Sequence, residues 1–176
     1  MTLLSRHDIL NALEVLAREL NFQSLSTELM IGGGAALVLL YAARDTTRDV
    51  DALALVSENP AAVWRTAQGI AESLGLPKNW LNDGAKGYIH GLVPGEVLFQ
   101  HPSLIVRAVA PQQLLAMKLS AWRDDLDIAD ARLLLSKFVG TREQVWDQIE
   151  PYLVPGRELK ARYAFEDLWE SEDGRA

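Results

Sequence analysis

Three consecutive glycines, Gly32-Gly33-Gly34, stand between two apolar segments. Glycines in a row end a strand and allow backbone conformations that other residues resist. The residues before them, 28–31, are short and apolar and read as a strand. The residues after them, 35–43, read as a buried helix packed close to a sheet. A strand, a tight turn and a buried helix in that order require a layered fold built on a sheet. A helix that opens directly from such a turn also presents its first backbone N–H groups to a phosphate.

The rest of the chain fits around that unit. Ser5 is an N-cap with Asp8 three residues on, in capping-box position, and Ile9, Leu10, Leu13, Leu16, Ala17 and Leu20 follow at helical spacing, so the first helix is expected at about 6–20. Residues 49–56 are rich in β-formers and read as a strand. A third helix is expected at 60–74, stopped by Gly75-Leu76-Pro77. Residues 80–88 read as a loop, and 97–100 and 104–108 as two short strands. From Pro111 the pattern is helical at about 111–122, 125–138, 142–152 and 157–170, with residues 171–176 frayed. The expected class is α+β, a small mixed sheet flanked by helices. It divides into a core over residues 1–110 and a helical segment over 111–176.

Composition limits the chemistry. The 176 residues suit one core with a helical extension, and 49% are apolar, which excludes a disordered chain. There is no cysteine, so any metal must be held by oxygen or histidine. His7, His90 and His101 show no paired spacing for zinc, and each reads as a surface or loop residue. The net charge of −7 argues against nonspecific nucleic-acid binding, though not against a local basic patch. The N-terminus lacks the pattern of a signal peptide, and the longest apolar run, 31–43, is too short to span a bilayer. The expectation is a cytoplasmic protein without a membrane partner.

Asp49 and Asp51 carry the chemical signal. Two apart on a strand, they point to one face. Two carboxylates held together favour a cation between them. Magnesium fits, because it takes few protein carboxylates and shares its shell with substrate phosphates. Arg44, Thr46, Thr47 and Arg48 lie directly before the pair, where a guanidinium fork and hydroxyls would meet phosphate oxygens.

The string Gly33-Gly34-Ala35-Ala36-Leu37, followed by Arg44-Asp45-Thr46-Thr47-Arg48-Asp49-Val50-Asp51, resembles the first motif of the DNA polymerase β-like nucleotidyltransferases. The Arg-x-Thr context is similar to the branch containing AbiEii-like toxins of bacterial toxin–antitoxin systems. Leu74 to Asp83 resembles a segment of an uncharacterised bacterial nucleotidyltransferase-like family. Leu114 to Leu119, with Arg123 and Asp127-Ile128-Ala129-Asp130, is similar to that family's helical motif. The resemblance covers about residues 28–138 and implies the nucleotidyltransferase fold. It implies that Gly33, Gly34, Arg44, Thr46 and Thr47 hold the nucleotide. Asp49 and Asp51 would bind Mg²⁺ and act in catalysis, Lys118 would contact phosphate or base, and Asp127 or Asp130 would be the acid that follows it, with Asp127 favoured for chemistry. The implied reaction moves a nucleoside monophosphate from an NTP to a hydroxyl on an RNA or tRNA end or a protein, with a cognate antitoxin as a further implied partner.

These enzymes carry a third carboxylate on a later strand, and residues 97–100 and 104–108 have none. Asp83, Glu96, Asp127 and Asp130 are the candidates. A site without the third acid would belong to a binding or regulatory protein, and an acid-lined cleft in the helical tail to transfer onto a small molecule such as an antibiotic. Simpler roles compete for single residues. Lys118 lies among Leu114, Leu115, Met117 and Leu119, where a lysine can snorkel from a buried helix. Asp124, Asp125 and Asp127 stand near a helix start, where acids complement the dipole. Trp80 either packs or lines a pocket, and Asn82, Asp83 and Lys86 are polar loop residues placed to surround a substrate.

Overall fold

The structure, a computed structural model, describes residues 3–42 and 44–171. The described residues form two compact units, one within 1–86 and 94–109, the other within 87–93 and 110–171.

The first unit opens with β1 (Leu4–Ser5) and α1 (Arg6–Phe22). The expected capping box is present: the Ser5 hydroxyl accepts from Asp8 N at 3.2 Å, and Ser5 N donates to Asp8 Oδ2 at 2.8 Å. After β2 (Thr27–Ile31) the chain passes Gly32 into α2 (Gly33–Ala36), then winds as a π-helix over Leu37–Tyr41. The expected helix at 35–43 therefore starts two residues earlier and ends at Tyr41, where the left-handed φ of 45° at Ala42 caps it; residue 43 lies outside the described residues. Then come β3 (Thr46–Thr47), β4 (Val50–Ser57) and α3 (Pro60–Ala71), which ends ahead of Gly75 at φ 66°. Residues 80–88 are more than a loop. Leu81–Asn82 forms β5, and Gly84–Tyr88 a 3-10 turn. A two-residue strand leaves no periodicity to read, and this one exists through its parallel pairing with β4. β6 (Pro94–His101) starts three residues before the expected strand, because proline is tolerated as the first residue of an edge strand. β7 (Leu104–Val109) completes the unit.

The main sheet runs β5-β4-β2-β7-β6. It is mixed: β2 pairs antiparallel to β4 and parallel to β7, β5 is parallel to β4, and β6 is antiparallel to β7. β1 and β3 form a separate antiparallel pair. Leu13, Leu16, Ala17 and Leu20 of α1 join Val63, Ala67 and Ile70 of α3 and Leu29, Ile31, Leu104 and Val106 of the sheet in one core. Trp80 is fully buried in it and donates from Nε1 to Ala67 O at 2.9 Å, so it packs rather than lining a pocket. The class is α+β, a mixed sheet flanked by helices.

The second unit contains α4 (Pro111–Ala121), α5 (Asp125–Leu135), α6 (Arg142–Ile149), a 3-10 turn at Glu150–Tyr152 and α7 (Glu158–Ser171). The expected helix at 125–138 ends at Leu135, and its last turn tightens into i to i+3 bonds from Lys137 and Phe138. The helix expected at 142–152 gives way to the 3-10 turn where Pro151 cannot donate. Of residues 171–176, expected to fray, Ser171 is the last residue of α7, and 172–176 lie outside the described residues. α4 is buried on every side from Gln113 to Ala121, and its polar members Gln113, Lys118 and Ser120 all have partners there. Gln113, itself 0% exposed, accepts from Val93 N at 3.1 Å and donates to His90 O and Gly91 O at 2.9 and 2.7 Å. That amide ties residues 90–93 to α4. Among the described residues, no helix is long and apolar enough to cross a membrane.

Candidate functional site

The glycine turn and the acids meet at the end of β2 where it borders the start of β4. Gly32 N donates to Asp51 O at 3.0 Å, which fixes the turn against β4. Gly33 has φ +56°, and a Cβ there would stand 3.0 Å from Asp51 Oδ2. A Cβ on Gly34 would overlap Thr47 Oγ1 and lie 3.3 Å from Arg44 Cζ. The turn therefore brings backbone, carboxylate, hydroxyl and guanidinium closer together than any side chain permits. Thr47 is buried, and its hydroxyl donates to Asp49 O at 3.3 Å. The strand begins at Val50, so Asp49 stands one residue before it, not within it as the sequence suggests.

A loop closes the other side. Asn82 is the parallel register partner of Asp51. Its Nδ2 donates to Asp49 Oδ2 at 3.2 Å, and its Oδ1 accepts from Gly84 N at 2.7 Å. A Cβ on Gly84 would come within 3.2 Å of Asp51 Oδ1 and 2.7 Å of Asn82 Oδ1. Glycines thus approach both oxygens of the Asp51 carboxylate, Gly33 from one side and Gly84 from the other. Both acids are half-buried. The oxygen donors are the two carboxylates, because the Asn82 amide turns its nitrogen to Asp49 and its oxygen to Gly84 N, and carboxylate oxygen is the hard ligand chemistry magnesium takes.

The other candidates lie elsewhere. Lys118, near the end of α4, places Nζ 2.8 Å from Asp127 Oδ1 and 2.7 Å from Asp130 Oδ2, with all three side chains buried. Asp127 also accepts from Arg123 N at 3.2 Å and Arg123 Nε at 3.0 Å. Burial pushes the Asp127 carboxyl up, but the bonds from Arg123 and Lys118 and the Lys118 charge outweigh it and hold its pKa at about 2. A carboxylate so engaged is a weak base and anchors α5 to the end of α4. Asp124 caps α5 by accepting from Asp127 N at 3.0 Å. Asp83 is exposed and pairs with Lys86 at 2.8 Å. Glu96 lies in β6, and after burial its charge is the second influence raising the Tyr41 hydroxyl pKa. Among the described residues, no group of three or more His, Asp or Glu side chains is arranged to hold a metal.

The sheet-bearing unit thus gathers Gly33, Gly34, Arg44, Thr47, Asp49 and Asp51, with Thr46 beside them in β3. The helical unit pairs Lys118 with Asp127. Sequence reasoning placed Asn82 among the polar loop residues around a substrate, without a link to the acids, and did not single out Gly84. The one signal for them was the Asn-Asp-Gly turn. No protein-family profile, curated protein or solved structure matches the chain.

Proposed function

We propose that this chain is a Mg²⁺-dependent nucleotidyltransferase of the DNA polymerase β-like type, acting in the cytoplasm and moving a nucleoside monophosphate from an NTP to the hydroxyl of an RNA end. The observation that carries the reading is the convergence of Gly33 and Gly34 on Asp51, Thr47 and Arg44. The two glycines bring the start of α2 against the Asp51 carboxylate, and the first N–H groups of α2 have no partner within the helix. The Arg44 guanidinium and the Thr46 hydroxyl supply phosphate donors, and Thr47, whose hydroxyl donates to Asp49 O, steadies the first of the two acids. Asp49 and Asp51 hold the cation. When bound, magnesium neutralises charge on the triphosphate and lowers the pKa of a coordinated hydroxyl. The acceptor oxygen bonds to the α-phosphorus, the bond from that phosphorus to the bridging oxygen breaks, pyrophosphate departs and the hydroxyl proton passes to solvent. In this reading Lys118 and Asp127 brace the helical unit, and an antitoxin remains the partner implied by the toxin-like motif.

The test is incubation of the full chain with Mg²⁺, total RNA and each labelled NTP in turn. Label is expected in RNA with at least one NTP, and Asp49→Ala and Asp51→Ala are expected to abolish it. No transfer to any RNA overturns the reading. Calorimetric binding of NTP without transfer would replace it with a nucleotide-binding protein that lacks turnover.

A further inference from the structure

Within the sheet-bearing unit, α1 and α3 leave a groove of about 500 Å³ between them. Val15, Glu19 and Gln23 form its α1 wall at helical spacing, and Arg65, Thr66 and Gly69 its α3 wall. The Thr66 hydroxyl reaches Gln23 Oε1 from one wall to the other at 3.2 Å. Three features here have no use inside the chain. Glu19 and Arg65 line opposite walls, and among the described residues neither has an ion-pair partner. Gly69 lies in α3, where a glycine weakens the helix, yet its φ is not positive and a Cβ there would meet nothing within 4 Å. Neither conformation nor internal packing calls for glycine at that position. Phe22, the last residue of α1, is 86% exposed. It stands three residues from Glu19 and seven from Val15, so it shares their side of the helix and rims the groove.

We infer that this groove is a self-association surface, across which two copies of the chain pair around a two-fold axis running along it. A two-fold interface needs a patch that complements itself. This one carries a knob and a hollow, and an unpaired acid and an unpaired base. Turning a second copy about such an axis lays α1 of each copy against α3 of the other. Glu19 then faces Arg65 of the partner subunit, and symmetry makes the contact twice. The Phe22 ring, of the aromatic kind that anchors protein interfaces, lies over α3 of the second copy, where Gly69 leaves room for it. A small ligand fits less well, because small-molecule sites enclose most of their ligand, whereas Glu19, Gln23, Arg65 and Gly69 are all exposed. A different protein would have to bring its own hollow for Phe22 and its own matched charges. A second copy already has them.

Sedimentation equilibrium of the full chain tests the pairing. Wild type is expected to pass from monomer to dimer between about 1 and about 100 μM. Phe22→Ser is expected to raise the dissociation constant at least about tenfold. Glu19→Arg and Arg65→Glu are each expected to do the same, because either one sets like charges against each other in both halves of the dimer. An equimolar mixture of the Glu19→Arg and Arg65→Glu chains is expected to dimerise again, since every facing pair is then of opposite sign. All three side chains are exposed, and thermal unfolding checks that each variant is folded. A wild type that stays monomeric at about 100 μM overturns the inference and leaves the groove to a different partner. A dimer untouched by Phe22→Ser or by Glu19→Arg overturns this surface. A mixture that stays monomeric overturns the two-fold pairing. No nucleotide, metal or RNA enters these measurements, so self-association and the proposed transfer reaction stand or fall separately.

Discussion

Gly33 and Gly34 are glycines for different reasons. Gly33 adopts φ +56°, which costs an L-residue roughly 1–2 kcal/mol, and it also abuts Asp51. Gly34 lies outside the left-handed region, and its constraint is steric: the Thr47 hydroxyl occupies the place of its Cβ. Gly34→Ala is expected to cost about 1–3 kcal/mol in urea unfolding, the usual range for overpacking. The pair is testable as a cycle. Adding Thr47→Ala removes the overlapping oxygen, so the double variant is expected to be at least about 0.5 kcal/mol more stable than the sum of the single losses. Additive losses would show that the clash is relieved by backbone movement instead. Glycine composition points to this turn, but only the folded chain separates a conformational requirement from a steric one.

The pairing of α4 with α5 has a pH signature. Asp127 titrates at about 2 in the folded protein, below the roughly 3.9 of an unfolded aspartate. A depressed carboxylate stabilises the fold fully above the unfolded value, and that contribution is lost as pH falls from about 4 through about 2. The gap corresponds to about 2 kcal/mol. Urea melts at pH 6, 3 and 2 are expected to show the stability difference between wild type and Asp127→Asn shrinking by that amount across the window. Removing the cation is a harsher change. Lys118→Met leaves Asp127 and Asp130 buried without it and is expected to cost about 3–5 kcal/mol in the same melts. A Lys118 that served only to meet substrate would leave stability intact. The elements differ in how far sequence reveals them. The start of α1 is legible because Ser5 and Asp8 act on each other across three residues. The edges of β6 and all of β5 are not, because partner strands define them. The same holds at the site: the glycines and the acid pair stand out in the chain, whereas Asn82 gains its meaning only from the strand beside it.

At the scale of the whole molecule, the chain passes between its two units at residues 86–87, 93–94 and 109–110. Nothing local in the sequence marks residues 87–93 as belonging with helices that begin at Pro111. Gln113 is what claims them. Gln113→Leu would strand Val93 N and the carbonyls of His90 and Gly91, and is expected to cost about 2–3 kcal/mol, with faster amide exchange at Val93 as the local readout. A fragment of residues 110–176 lacks all three partners. It is expected to bind a hydrophobic dye and to lose a sharp thermal transition.

The π-helix at Leu37–Tyr41 gives the first motif an adjustable length. A π-turn accommodates one residue more than an α-turn over the same stretch of axis. Losing one residue there would let the helix relax to α geometry and would leave the direction in which it ends nearly unchanged, whereas the same loss from an α-turn would rotate that end by about 100°. Arg44 and the two aspartates would then keep their side of the glycine turn. The wide turn is thus slack in the motif, and related chains that keep both ends while varying the stretch between them by one residue can take it up there without turning the acids away.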